Sequence, residues 1–212
     1  RRMSEVTRYS RLDPELRKSL LVKATLVCLK KFGFQGASIR KICAEAGVSV
    51  GLISHHYSGK DELVAEAYLT ITEQLMALLS SSVAAAVPAA RPRLTAFFQA
   101  SFSPQILAPD LLDAWLAFWG AVKTAEAINR VHGHSYGQYR RLLAQILAEL
   151  AEEEGWEDFD ADLASISLSA LLDGLWLELG INPGVCSPEQ SIELCEAWVD
   201  GLRSCRQRFI RS

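Results

Sequence analysis

Residues 38–57 read SIRKICAEAGVSVGLISHHY, and this stretch decides how the first part of the chain folds. Ser38 is a favoured N-cap residue, and it predicts a helix over 39–46 that ends at Gly47. Apolar residues at helical spacing then predict a second short helix over 50–57. Two short helices joined by a glycine-containing turn form a helix-turn-helix pattern, although ordinary αα-hairpins share this outline.

The second helix of this pattern turns polar side chains away from its apolar side at Leu52 and Ile53. A DNA major groove is about 12 Å wide and admits one such helix. Free N–H groups at the helix N-termini would suit phosphate oxygens, and a lysine at the next helix start would add a backbone contact. Two of the candidates, the histidines, are alternatively solvated surface imidazoles. The candidate DNA-binding residues are Ser38, Arg40, Ser49, Val50, Leu52, Ser54, His55, His56 and Lys60.

The charge of the chain is divided unequally. The whole sequence carries a formal charge of −3. Residues 1–60 hold twelve basic and four acidic side chains, a net charge of +8, whereas residues 61–212 carry −11. Such a split indicates a head that binds a polyanion on an acidic body, although a run of charge alone is usually a solvated face. The split therefore favours DNA binding over a structural hairpin.

The remainder of the chain also has helical periodicity, and no alternating apolar-polar run predicts a strand. Pro14 opens a first helix, which stops at Gly33. The predicted fold class is all-α. A three-helix helix-turn-helix domain occupies 1–59, with an ordered core from about residue 13, and a larger helical ligand-binding and dimerisation domain occupies 60–212. The remaining helices are expected at 60–87, 93–102, 109–123, 126–152, 159–181 and 189–210.

Other classes of function lack their sequence signals. The chain has no run of about 18 apolar residues, and its first residues have no apolar stretch behind their charges, so neither a membrane span nor a secretory signal is expected. Its five cysteines form no Cys-x-x-Cys pair, and no nucleophile or phosphate-loop motif occurs. We expect a cytoplasmic protein that is not an enzyme and holds neither metal nor cofactor. The alternative is a helical carrier of small molecules or lipids without DNA function.

The stretch 38–57, together with Lys60-Asp61-Glu62-Leu63, resembles the signature of TetR-type transcriptional repressors. The sequences AWLAFW at 114–119 and ALLDGLWL at 170–177 are similar to the BetI-type branch, which responds to choline. The resemblance implies a DNA-binding head, a helical ligand domain, and a homodimer released from its operator by a small-molecule inducer. It also implies that Ser38 and Lys60 contact the DNA backbone, and that the residues of the groove-facing helix are Ser49, Val50, Ser54, His55 and His56. His56-Tyr57 departs from the branch, which usually has Tyr-Phe at this place.

The ligand domain is rich in aromatic side chains at helical spacing. Such a stripe more often belongs to the hydrophobic core than to a ligand-binding pocket. Aromatic faces together with a carboxylate are, however, what a quaternary ammonium ligand needs. Asp173 and Glu178, within the apolar helix over 159–181, are the candidates for that carboxylate. Asp173 would alternatively accept a hydrogen bond from a tryptophan indole. We expect a cationic or neutral apolar inducer. The candidate ligand-binding residues are Trp115, Phe118, Trp119, Tyr136, Tyr139, Asp173 and Trp176.

Two helices predict the dimer interface. The helix over 159–181 is apolar on nearly all sides, so it must be buried on more than one side. The helix over 189–210 has an apolar seam close to a three-four repeat. Two such helices from each subunit would form a four-helix bundle across a two-fold axis and set two recognition helices about 34–36 Å apart, which suits a palindromic operator. The alternative is a monomer that buries both helices internally.

Overall fold

The computed structural model of the chain describes residues 14–54 and 56–210, without the side chains of Pro14, Glu15, Arg17 and Leu52. Most of these residues lie in helices and none forms a strand, so the prediction of an all-α fold is confirmed. The elements are α1 (Pro14–Gly36), α2 (Ile39–Ala46), α3 (Val50–Ser54), α4 (Lys60–Ala85), α5 (Ala90–Ser101), α6 (Pro109–Ala121), α7 (Glu126–Glu153), α8 (Ala161–Ile181), α9 (Pro188–Cys205) and a 3-10 turn at Arg206–Phe209.

The chain folds as two compact units, and α4 and α7 contribute residues to both. The first unit contains the described residues up to Thr72 together with Pro109–His134. In it, α1 packs against α2 and α6. The second unit contains Glu73–Ala108 and the residues from Ser135 onward.

Two glycines with a positive φ lie where the chain bends, one ahead of α2 and one between α2 and α3. Gly33 has a φ of +63° and interrupts α1 where the sequence predicts its end. Gly47 has a φ of +70°, and its N–H donates to the carbonyl of Ala44, while Val48 N–H donates to the carbonyl of Cys43 at 2.9 Å. Such bonds satisfy carbonyls that the end of α2 leaves open. The turn between α2 and α3 therefore depends on a glycine.

Some helix ends differ from the sequence prediction. The second helix of the helix-turn-helix, α3, ends at Ser54 rather than at residue 57. The amides of His56 and Tyr57 both donate to the carbonyl of Ile53 at 2.9 Å, which closes the helix with a turn. At its own start α5 includes Pro92 in the first turn, where a missing N–H costs no hydrogen bond.

The C-terminal helix is also shorter than predicted, because α9 ends at Cys205 and a 3-10 turn follows. This turn is fixed by the carbonyl of Phe209, which accepts a hydrogen bond from the amide of Asp160 at 2.7 Å. The same region contains an isolated β-bridge between Phe159 and Ile210. The bridge fastens the end of the chain to the start of α8.

The core of the second unit is formed by α5, α7, α8, α9 and the second half of α4, with Phe97, Phe98, Leu168 and Leu202 among its buried side chains. One side of α8 faces this core, yet its other side remains apolar. Among the described helices, α8 is the one whose length and hydropathy would allow it to cross a membrane, a test that core helices also pass. Its exposed apolar side chains are Leu163, Ile166, Leu177 and Ile181.

Replacing Gly47 by Ala will lower the stability of the protein. A side chain in the left-handed region costs about 1–2 kcal/mol, so the melting temperature should fall by roughly 2–8 °C. Gly120 is the matched control, because it lies in α6 with no atom near its missing Cβ. Gly120→Ala should leave the melting temperature unchanged or raise it. Equal losses in both variants, measured by thermal unfolding, would contradict the role of the turn.

Candidate DNA-binding surface and ligand site

The outward side of α3 is the first candidate surface. Ile53 is buried and anchors the helix in the first unit, whereas Val50 is 40% exposed and Ser54 is exposed. His56 is exposed just after the helix, and Ser49 is half-buried just before it. Of the remaining candidates on this stretch, the side chain of Leu52 and the whole of His55 lie outside the described residues. The helix therefore offers an unburied edge that a groove could receive.

The N-terminus of α2 is the second candidate surface. Ser38 has an extended backbone, and its hydroxyl accepts a hydrogen bond from the amide of Lys41 at 3.3 Å. Ser38 is therefore the N-cap that the sequence predicts. Arg40 and Lys41 follow in the first turn and are exposed, and this turn contains no acidic residue. The positive end of the helix dipole thus carries two further positive charges.

Lys60 begins α4 and is held against the end of α1. Its Nζ donates to the carbonyl of Phe34 at 2.9 Å and lies 4.1 Å from the centroid of the Phe34 ring. This contact joins residues 26 positions apart, and nothing in the local sequence indicates it. An ammonium group has three N–H donors, so this one bond leaves donors for another acceptor.

Three of the candidate ligand residues belong to the first unit, where Trp115 and Phe118 are buried in α6 and Trp119 is half-buried. Tyr68 of α4 stacks on Phe118 with ring centroids 4.5 Å apart and meets the edge of Trp115 at 5.4 Å. The hydroxyl of Tyr68 forms a 2.8 Å hydrogen bond with Nδ1 of His132. Tyr68 and His132 were not predicted as site residues, because contacts between distant helices leave no local signal in the sequence.

The indole N–H of Trp119 is buried, and no described residue accepts its hydrogen bond. A buried N–H without an acceptor destabilises the folded protein unless a bound molecule or water accepts its hydrogen bond. Trp119 is therefore a better candidate for a polar ligand contact than Phe118, whose ring is occupied by Tyr68.

The other four candidates belong to the second unit, where Ser101 joins two of them. Trp176 donates its indole N–H to the carbonyl of Ser101 at 3.0 Å, and the phenol of Tyr139 is hydrogen-bonded to the Ser101 side chain. The ring of Tyr139 lies 5.3 Å from that of Phe97 and 5.9 Å from that of Tyr136. Burial raises the pKa of Tyr139, so its phenol stays neutral and can donate. Ser101 carries no sequence signal of this role.

Asp173 is half-buried one turn before Trp176 on α8. Burial raises the pKa of its carboxyl group to about 7, and no cation in the described part of the chain opposes this effect. The indole N–H of Trp176 donates to the carbonyl of Ser101. Two residues after Ser101, the hydroxyl of Ser103 is buried, and no described residue bonds to it. The described residues contain no cluster of groups that could hold a metal ion.

Two family models match the chain. Residues 21–67 match the tetR family of bacterial regulatory proteins, and residues 88–204 match the C-terminal region of BetI-type transcriptional repressors. The HTH-type transcriptional regulator BetI of Vibrio parahaemolyticus is 33% identical over 171 residues, which are 80% of this chain and 83% of that relative. Both parts of the chain therefore resemble the same class of regulator.

Solved structures agree with the family models. A Pseudomonas aeruginosa PAO1 protein assigned as a transcriptional regulator is 66% identical, with a TM-score of 0.94 over 97% of this chain and 99% of that one. A regulator from Saccharomonospora viridis, solved in complex with choline, has a TM-score of 0.73 at 20% identity, covering 93% of this chain and 100% of that one. At that identity the second likeness shows the shared fold alone.

Replacing Asp173 by Asn will change how stability depends on pH. The folded pKa of about 7 lies above the ordinary value near 4, so folded protein retains a proton that unfolded protein releases. The free energy of unfolding therefore falls as the pH rises from about 4 to about 7, and the loss is complete above that range.

The Asp173→Asn variant should lack this fall and be more stable than the parent at pH 8, by on the order of 1–3 kcal/mol. Urea unfolding between pH 4.5 and 8.5 measures the difference. Asp162→Asn is the matched control, because Asp162 is exposed near the start of the same helix. An identical pH slope in the parent and both variants would show that Asp173 titrates normally.

Proposed function

The chain belongs to the TetR family of bacterial regulatory proteins and is a ligand-responsive DNA-binding transcriptional regulator of the BetI type, and from this premise we propose how it works. Regulators of this family bind operator DNA and small molecules and act as dimers. We propose that this chain is a homodimeric repressor in the cytoplasm, bound to a palindromic operator until a cationic small molecule such as choline releases it.

The observation that supports the choice of ligand is the desolvated carboxyl group of Asp173, which has no cationic partner among the described residues. A quaternary ammonium group has no N–H to donate, so it is recognised by charge and by aromatic faces. Tyr139 and Trp176, which are both bonded to Ser101, would offer such faces within the same unit. Choline in the Saccharomonospora viridis regulator supports this class of ligand.

The DNA contacts are proposed for a head over residues 1–59, with residues 60–212 as the ligand-binding and dimerisation part. Val50, Ser54 and His56 would face base edges, because they are exposed beside the buried Ile53. His55, which follows Ser54 in the sequence, is proposed for the same groove. Ser38, Arg40 and Lys60 would contact phosphates, since each carries a donor at a helix start.

The dimer is proposed to form through α8 and α9. The exposed leucine and isoleucine side chains of α8 form an apolar surface on a helix whose other side is already buried, and Leu194 of α9 is 49% exposed. Exposed apolar side chains of this number on one helix mark an interface. Pairing with the same helices of a second subunit would bury them in a four-helix bundle. This pairing also accounts for the membrane-like composition of α8.

Release from DNA is proposed to travel along α4. This helix begins at Lys60 beside the helix-turn-helix, and Tyr68 on it contacts Trp115 and Phe118 of α6. In the second unit, Leu79 and Val83 of α4 lie in the same core as α8, so a ligand bound beside Asp173 would shift α4 and, through Tyr68, α6. Ligand weakens operator binding only by its different affinity for the two arrangements, typically 1–3 kcal/mol.

The proposed function is tested by selecting bound duplexes from a random DNA library and measuring the affinity of the purified protein for the selected sequence. We expect a palindrome, and choline should weaken binding about 5- to 150-fold. Asp173→Asn should bind the same DNA but need at least about tenfold more choline for release, because the charge partner is lost.

The Asp162→Asn variant is again the control and should respond like the parent. Release by organic acids or acyl-CoA but not by choline would overturn the cationic inducer and leave the regulator intact. Failure to enrich any sequence would contradict operator recognition itself.

Removing the hydroxyl of Tyr68 will weaken the coupling between ligand and DNA. Tyr68→Phe keeps the ring that stacks on Phe118 but loses the hydrogen bond to His132. We expect operator affinity without ligand to change less than the ratio of affinities with and without choline, which should fall severalfold. Anisotropy titrations at several choline concentrations give this ratio. An unchanged ratio would show that α4 does not respond through Tyr68.

A further inference from the structure

Residues 32–36, here called the aromatic turn, hold two lysine ammonium groups in the same way. Nζ of Lys41 donates to the carbonyl of Gly36 at 2.7 Å and lies 3.9 Å from the centroid of the Phe32 ring. Nζ of Lys60 donates to the carbonyl of Phe34 at 2.9 Å and lies 4.1 Å from the Phe34 ring. Each ammonium therefore has one carbonyl and one aromatic face from the same five residues.

The two glycines of the aromatic turn give it this shape. Gly33 has a φ of +63°, which places the rings on either side of a sharp bend in the backbone. A Cβ on Gly36 would lie only 3.1 Å from Cβ of Phe32, so the backbone there approaches a side chain closely. The next residue, Ala37, is buried, and its amide donates to the carbonyl of Gly33 at 3.0 Å. The turn is thus a defined structure directly ahead of the Ser38 cap.

The charges around the aromatic turn are not balanced by the described protein. Lys41 and Lys60 form no ion pair with any described residue, whereas Lys30 pairs with Asp110 and Lys31 pairs with Glu45. Lys41 also sits at the positive end of the α2 dipole, where acidic residues are normally favoured. Both ammonium groups therefore keep a positive charge that an anion from outside the chain could approach.

We propose that the aromatic turn positions Lys41 and Lys60 for contact with two DNA phosphates, with Phe32 and Phe34 as positioning residues that act through the ammonium groups. The proposal adds Lys41 to the backbone contacts and rests on the DNA binding set out under Proposed function. A cation–π contact and one carbonyl bond restrict a long side chain before DNA arrives, and they leave N–H donors for a phosphate oxygen. Less side-chain freedom is then lost on binding.

The test uses the full chain and a 30-base-pair duplex of random sequence, since phosphate contacts do not depend on the operator. Affinity is measured by anisotropy between 50 and 300 mM salt. Lys41→Gln and Lys60→Gln should each reduce the slope of log affinity against log salt by about 1 for each protomer bound. Lys123→Gln is the charge-matched control, an exposed lysine after α6, and should leave the slope unchanged.

The phenylalanines are tested by double-mutant cycles. Phe34→Leu should weaken DNA binding about 3- to 10-fold, whereas Phe34→Tyr should bind like the parent because it keeps the aromatic face. In the Lys60→Gln background, Phe34→Leu should have no further effect on binding. Phe32→Leu should behave in the same way toward Lys41. Thermal unfolding of each variant shows whether the head still folds.

The alternative is a purely structural clamp that joins α4 and α2 to the end of α1. In that case Phe34→Leu lowers the melting temperature, its effect on binding adds to that of Lys60→Gln, and the salt slope of the lysine variants equals that of the parent. An unchanged salt slope in the lysine variants overturns the proposal, and so does an additive effect of Phe34→Leu and Lys60→Gln on binding. Either result leaves DNA binding in place. A parent protein without measurable, salt-dependent affinity for the duplex would instead overturn the DNA-binding function itself.

Discussion

The contact of Tyr68 with its neighbours is the interaction on which the first unit depends. Tyr68 is 1% exposed, stacks on Phe118, meets the edge of Trp115 and is hydrogen-bonded to His132. Tyr68 thereby holds α6 and α7 against α4, the helix that follows the helix-turn-helix. Because a packed aromatic cluster has few alternative arrangements, we propose that a shift of α4 displaces α6 rather than being absorbed between the rings.

The features predicted from sequence are those with a local physical cause. Ser38 caps α2 and Gly47 ends it because cap hydrogen bonds and a positive φ involve neighbouring residues only. The apolar periodicity likewise predicted the helices of both units to within a few residues at most ends. The predicted end of α3 at residue 57 was wrong, since the carbonyl of Ile53 accepts hydrogen bonds from two amides, which a periodic pattern does not reveal.

The candidate sites were predicted less completely, because they depend on residues far apart in the chain. The bond between Tyr68 and His132 spans 64 positions, and that between Trp176 and Ser101 spans 75. An aromatic stripe predicts the composition of such clusters but not the partner of each ring. It could not separate Phe118, whose face Tyr68 occupies, from Trp119, whose buried N–H has no described acceptor.

The state of Asp173 links stability to the proposed function. A half-buried carboxyl group without a cation destabilises the folded protein when ionised, and its pKa of about 7 is the measure of that effect. A cationic ligand would remove the effect by supplying the missing charge, so part of its binding energy would come from relieving a strain already present in the free protein. A neutral ligand gains nothing from this carboxylate, and an anionic one is repelled by it.

By the same linkage, the cation should bind more tightly as the pH rises toward 7 and release a proton as it binds. Selectivity for charge would then need no hydrogen bond to the ligand, which a quaternary ammonium group could not make in any case.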